Sequence, residues 1–155
     1  MEQNDYKLED FSRMAKVFGN TVLIANHLQT IIDRDLDPHG LTAKQWFLIA
    51  CMHEFFTEPP RLGDLARVMG TSYQNVKQLA LKLEKINFVK ISSDPTDQRA
   101  LRIETTPQCS VFFEEHNSNA IQLMLKVFSS LSPDDLNSLF RITSQWADGI
   151  KGLKE

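Results

Sequence analysis

The sequence predicts a mainly α fold with one small β wing: a winged helix-turn-helix set between long N- and C-terminal dimerisation helices. Three observations carry this. Long segments at both ends repeat apolar residues at helical spacing. Two short amphipathic segments in the middle are joined by about three residues that include Gly70. Two strand-like stretches, "FVKIS" and "ALRIET", then flank the polar tip Asp94-Pro95-Thr96-Asp97-Gln98-Arg99.

The first helix is expected from about Tyr6 to Asp35, on the spacing of Phe11, Met14, Phe18, Val22, Ala25, Leu28 and Ile32. Val17, Ile24 and Ile31 add a second apolar flank, so this helix should be covered on more than one side. Asp37-Pro38-His39-Gly40 breaks it. Thr42 to Gln45 is a capping-box pattern that opens a helix with Trp46, Phe47, Ile49, Ala50 and His53. Glu58-Pro59-Pro60 ends that region. Leu62, Leu65, Ala66 and Met69 form a short amphipathic helix closed by Gly70. Thr71 to Gln74 reads as a second capping box, before a helix with the inward stripe Val76, Leu79, Ala80 and Leu83 and a stop at Asn87. Thr106-Pro107 and Ser132-Pro133 each combine a cap with a proline in the first turn, and so start two further helices. The expected organisation is one interwoven domain: residues 1–36 and 107–155 for dimerisation, 41–106 for the winged helix-turn-helix.

Length and composition fit one globular domain of 155 residues, with 42% apolar and 24% charged residues. No run approaches the roughly 18 apolar residues of a spanning helix. The polar start "MEQNDYKLEDF" is unlike a secretory signal, and two cysteines make no disulfide framework. A cytoplasmic protein without membrane contact is the expectation. The net charge of −3 hides an asymmetry: residues 61–103 hold eight Lys/Arg against four Asp/Glu, and the remainder nine against sixteen. A basic segment in an acidic body points to a local anionic partner.

Viewed end-on, the helix from Ser72 to Ile86 places Gln74, Lys77, Gln78, Lys82 and Lys85 opposite its apolar stripe. Glutamine pairs bidentately with adenine, and lysine reaches guanine acceptors or phosphate. Ser72, Tyr73 and Asn75 occupy the first turn, where side chains and free N–H groups meet phosphate or a base edge. Leu81 also points outward, toward a thymine methyl or a neighbouring element. Arg99 at the wing tip suits the minor groove, whose negative potential attracts a guanidinium. Asp97 is placed to orient it by a charge-assisted hydrogen bond. The plain alternatives are a solvated helix face and an ordinary hairpin turn.

The stretches "LTAKQWFLI" and "LGDLARVMGTSYQNVKQLALKLEKINFVKISSDPTDQRALRIETT", with the flanking helices, resemble the MarR (multiple-antibiotic-resistance regulator) family from about residue 10 to residue 150. The most specific part is the helix-turn-helix followed by Asp97-Gln98-Arg99. The resemblance implies a homodimeric transcription regulator on pseudo-palindromic duplex DNA, with Ser72 to Lys85 in the major groove and Arg99 in the minor groove. It further implies a repressor relieved by a small ligand. Asn87 stands where the family usually has glycine, Thr105-Thr106 replaces Leu-Thr, and Cys109 replaces a common glycine. With one arginine in the wing, affinity is expected to be modest and salt-dependent.

By the same resemblance, Trp46, Phe47, Phe112, Phe113 and His116 border a ligand cleft. Trp46, His53 and His116 are the candidates for an aromatic or phenolic ligand, whereas Phe47 and Phe112 are expected in the core. Cys109, third in its helix, is the candidate redox residue, since a helix N-terminus lowers a thiol pKa; Cys51 is expected to be buried filler. The four histidines lack metal-ligand spacing, so neither a metal nor another cofactor is expected. No P-loop, dinucleotide turn, nucleophile elbow or His-Glu-x-x-His appears, so the chain is not read as an enzyme. Two other readings remain open: a protein-docking module, such as an antirepressor or decoy subunit, and a cysteine redox-sensing regulator.

Overall fold

The computed structural model describes residues 7–154. Its elements run α1 (Leu8–Leu36), a short turn of 3-10 helix (Asp37–His39), α2 (Ala43–Phe55), α3 (Leu62–Val68), α4 (Tyr73–Lys85), β1 (Val89–Ser93), β2 (Leu101–Thr105), α5 (Pro107–Val127) and α6 (Pro133–Lys151). Tyr6, the expected start of the first helix, lies outside the described residues. The chain forms two compact units: one ends at Cys109, the other spans Ser110–Glu155.

In the first unit, Asp33 Oδ1 of α1 accepts the Ala43 N–H at 2.7 Å and so ties α1 to the start of α2. The capping box at α2 forms as expected, with Thr42 as cap and Gln45 returning to the Thr42 N–H at 2.8 Å. The cap of α4 is Ser72, whose Oγ accepts the Asn75 N–H at 3.2 Å. This corrects the box expected over Thr71 to Gln74. Thr71 Oγ1 instead accepts from the Asn75 side chain at 3.0 Å, leaving Gln74 free to face outward.

Both helices of the helix-turn-helix end in the same way. Gly70 has φ +64°, the Thr71 N–H reaches Ala66 O and the Gly70 N–H reaches Arg67 O. Asn87 has φ +58°, the Phe88 N–H reaches Leu83 O and the Asn87 N–H reaches Glu84 O. In each, a left-handed residue satisfies the last carbonyls and turns the chain sharply. Asn87 does more than glycine: its Nδ2 donates to Gln108 Oε1 at 2.9 Å, and its carbonyl accepts from Thr106 Oγ1 at 2.6 Å. The stop of α4 is thereby fastened to the first turn of α5.

The core of this unit is Leu48, Ile49, Leu62, Leu65, Val76, Ala80, Leu83, Val89 and Ile103, all buried. Strands β1 and β2 pair antiparallel, with Val89 opposite Thr105 and Ser93 opposite Leu101. An isolated bridge between Arg61 and Arg102, with the Ile103 N–H donating to Pro60 O at 3.1 Å, lays the wing against the start of α3.

Helix α1 buries only Leu36 within the single chain, and α6 of the second unit buries none of its side chains. The cover expected on more than one side of α1 is therefore not supplied by its own unit. Phe47, expected in the core, is 47% exposed because it falls on the outward face of α2, while Leu48 takes the inward position.

Leu83 joins α4 to the rest of the core and is fully buried. Leu83→Ala is expected to lower unfolding free energy by about 2–5 kcal/mol, measured by urea denaturation at fixed protein concentration.

Candidate nucleic-acid interface

The polar face of α4 stands as the helical spacing predicts. Val76, Leu79, Ala80 and Leu83 are buried, while Ser72, Tyr73, Gln74, Asn75, Gln78, Lys82 and Lys85 are exposed. Lys77 is half-buried at the edge of this face, and Leu81 is exposed within it.

The wing tip is organised from within by Asp94, a carboxylate whose side chain is fully buried. Arg61 Nε donates to its Oδ2 at 2.8 Å and Arg61 Nη2 to its Oδ1 at 3.1 Å. Arg102 Nε donates to Oδ2 at 2.6 Å. Oδ1 also accepts the Thr96 N–H at 2.8 Å, the Thr96 hydroxyl at 2.6 Å and the Asp97 N–H at 3.0 Å. A buried carboxylate is tolerable because both oxygens are saturated by donors, two of them cationic. Arg102 Nη1 reaches Pro59 O at 3.1 Å, and Arg61 Nη2 reaches Thr96 Oγ1 at 3.0 Å. The cluster thus holds together the approach to α3, β2 and the tip.

Arg99 is exposed at the end of this tip. Asp97 Oδ1 accepts the Arg99 backbone N–H at 3.0 Å. Asp97 therefore shapes the turn that carries Arg99, rather than gripping its guanidinium as the sequence suggested. The Asx-type bond is short-range and forms wherever the tip is closed.

Ion pairs sort the remaining cations of the basic segment. Arg61 and Arg102 are held by Asp94, Arg67 by Asp64 at 3.2 Å and Lys90 by Glu104 at 3.7 Å. Among the described residues, Lys77, Lys82, Lys85 and Arg99 form no ion pair within 4.0 Å.

The other candidates separate. Trp46 is half-buried and His53 exposed on α2 of the first unit. His116 belongs to α5 in the second unit, where it stacks on Phe112 at 4.1 Å between ring centroids and its Nδ1 lies 2.8 Å from Phe112 O. Cys109 is fully buried, and burial pushes its thiol up to about 11. The expected lowering at a helix N-terminus is reversed, because loss of solvent opposes the thiolate more than the helix end favours it. Burial likewise raises the thiol of Cys51. Within the described residues, no group of three or more His, Cys, Asp or Glu is placed to hold a metal, and no helix is long and apolar enough to cross a membrane.

Sequence reasoning missed Arg61, Arg102 and Thr96. Asp94 was legible only as a turn former. The available signal was Arg102 beside Ile103 in β2, a charge on a short strand next to an Asp-Pro turn; Arg61, 33 residues from Asp94, gave none.

Arg61, Thr96 and Arg102 donate to the ionised form of Asp94 and hold its carboxyl well below the usual carboxylate range, against the opposing effect of burial. An unfolded Asp takes its proton near pH ~4. Between that pH and the lower native value the unfolded chain binds more protons, so this contribution is complete above pH ~4 and is lost as pH falls. Asp94→Asn is expected to lower the urea midpoint at pH 7 and to flatten its decline in acid. An acid decline unchanged by the substitution would place that sensitivity elsewhere.

Comparison with known proteins agrees with this architecture. Residues 41–101 match the MarR family model. AbsC, a MarR family transcriptional regulator from Streptomyces coelicolor, superposes with a TM-score of 0.76 at 21% identity, over 95% of this chain and 99% of that one. Sco3205, a MarR family transcriptional regulator from the same organism solved in complex with DNA, gives 0.77 at 18% identity, over 96% and 92%. BpsR from Bordetella bronchiseptica, whose DNA binding is regulated by 6-hydroxynicotinic acid, gives 0.74 at 18% identity, over 85% and 98%. At these identities the superpositions establish the fold. No curated protein sequence matches the chain significantly. The family model covers the helix-turn-helix and most of the wing, so residues 41–101 are similar to the MarR family, and the chain shares the fold of these winged-helix proteins over nearly its whole length.

Proposed function

We propose that the protein is a homodimeric, sequence-specific reader of duplex DNA that acts as a ligand-relieved repressor. The observation that carries the DNA reading is the pairing of two features on one unit: the exposed polar face of α4 and Arg99 on a wing fastened to the same core. Gln74, Lys77 and Gln78 read or approach base edges in the major groove. Ser72, Tyr73, Asn75 and Lys82 contact backbone or adjacent bases, and Arg99 enters the minor groove. Asp97 supports Arg99 through its backbone. The DNA complex of Sco3205, a protein of the same fold, supports this reading.

Dimerisation is supported by apolar surface left open on the single chain. Phe11, Phe18, Leu23 and Ile24 of α1 are exposed, and so are Leu139, Phe140 and Ile142 of α6. Amphipathic helices with such faces need cover, and a second copy supplies it symmetrically. Helices α1, α5 and α6, within residues 1–36 and 107–155, then serve dimerisation. Two-fold symmetry predicts an inverted repeat with half-site centres about one helical turn apart.

Relief by a small aromatic or phenolic ligand is supported by BpsR, a protein of the same fold whose DNA binding is regulated by 6-hydroxynicotinic acid. Burial of Cys109, which raises its thiol, weighs against a redox mechanism through that residue. A protein-docking module would not require unpaired cations on α4 and the tip.

Selection from randomised duplex DNA, at low and physiological salt, should enrich an inverted repeat. Arg99→Ala should weaken binding to it and reduce the salt slope by about one for each cation removed. Gln78→Ala should cost roughly 1–3 kcal/mol and relax preference at one base position per half-site. No enrichment at either salt would remove the operator reading from the isolated protein. Light scattering should give the mass of two chains; a monomer at micromolar concentration would refute the dimer.

A further inference from the structure

We propose that Arg61 is a positioning residue for Arg99: acting through Asp94, it fixes the aim of the wing tip relative to the helix-turn-helix without touching DNA. The inference rests on the DNA reading above.

Arg61 stands at the N-cap of α3, outside the α4 stripe and 38 positions before Arg99 in the chain. Its guanidinium is bidentate on Asp94, at 2.8 and 3.1 Å, and also donates to Thr96 Oγ1 at 3.0 Å. Asp94 Oδ1 holds the Asp97 N–H, and the Asp97 carboxylate holds the Arg99 N–H. Three successive hydrogen bonds therefore lead from a residue rooted at α3 to the backbone that carries Arg99. Helix α3 in turn packs on α4, with Leu62 and Leu65 fully buried.

The clamp is needed because a two-stranded ribbon is marginal alone and twists freely at its tip. The pairing of β1 with β2 fixes the ribbon's register but not its direction relative to α4. Direction is set where the ribbon meets the first helix of the motif, and Arg61 makes that junction together with Arg102. A planar guanidinium serves this role because it engages both carboxylate oxygens and Thr96 at once. A lysine ammonium presents a point charge and would hold the tip loosely.

The test uses the full-length protein and the fluorescein-labelled duplex enriched by the selection above. Wild type, Arg61→Gln, Arg61→Lys, Arg99→Ala and the double variant Arg61→Gln/Arg99→Ala are titrated by anisotropy. Thermal melts confirm that each variant is folded at the assay temperature. Arg61→Gln is expected to weaken binding roughly two- to thirty-fold, the range over which residues without ligand contact tune a coupled site. It should add little in the Arg99→Ala background, because a mis-aimed tip matters only while it carries its arginine. Arg61→Lys should fall between wild type and Arg61→Gln. Amide hydrogen exchange at Thr96, Asp97 and Ala100 should quicken in Arg61→Gln, with α4 amides unchanged. Unchanged affinity in Arg61→Gln, or a loss that adds fully to that of Arg99→Ala, would overturn the proposal while leaving the DNA reading intact. Wild type that enriches no sequence would overturn the DNA reading, and this inference with it.

Discussion

The carboxylate of Asp94 is the constraint on which the wing depends. Its fully buried side chain receives donors from three parts of the chain: Arg61 before α3, Thr96 and Asp97 at the tip, and Arg102 in β2. Removing any one cation would leave a buried charge partly uncompensated, a costlier state than having no ion pair at all. The cluster therefore specifies one geometry more than it adds net stability. It converts a five-residue ribbon, too short to hold its own orientation, into an arm with a defined root. The neighbouring bond from the Ile91 N–H to Glu84 Oε1 at 2.9 Å fastens the other strand to α4. Each strand of the wing is thus tied to one helix of the helix-turn-helix.

The same unit leaves its first helix largely uncovered. Helix α1 is anchored at its C-terminal end, by Leu36 and by Asp33 on the Ala43 N–H, while Phe11 and Phe18 remain exposed. In the second unit, Ser132 and Asp135 close a capping box that starts α6 firmly, although none of that helix's residues is buried. Local signals made these helices; packing within one chain does not account for their apolar faces. Both helices therefore combine strong local definition with apolar surface that their own units leave uncovered.

Much of this was legible in the sequence, for a physical reason. The stripe Val76, Leu79, Ala80, Leu83 follows from the helical period alone, and all four are buried. Gly70 and Asn87 announce left-handed helix ends because few other residues accept positive φ. The strands around the tip follow from residue type and the Asp-Pro break. What escaped was of another kind. Ser72 rather than Thr71 caps α4, a choice between two adjacent hydroxyl residues that periodicity cannot make. Phe47 faces outward because α2 is apolar almost all round and its pattern names no single inner face. Cys109 was judged by its place at a helix start, when its burial decides its chemistry. Arg61 was invisible because its partner lies 33 residues away. One-dimensional patterns report periods and turns, and long-range ion pairs have neither.

The charge of the basic segment shows how structure sharpens a sequence count. Eight cations and four acids give residues 61–103 a surplus of four, but the count does not say where it resides. The structure spends the acids on particular cations: Asp94 on Arg61 and Arg102, Asp64 on Arg67, and Glu104, just outside the segment, on Lys90. Glu84 and Asp97 accept backbone N–H groups instead. Among the described residues, those left without an ion pair are Lys77, Lys82, Lys85 and Arg99. Three lie along the polar side of α4 and the fourth at the wing tip. Burying one acid between two arginines therefore has a second effect. It neutralises the cations that hold the wing together, and leaves without an ion pair those on α4 and the tip. The net positive charge of the segment is therefore carried by these four side chains and not by the arginines around Asp94.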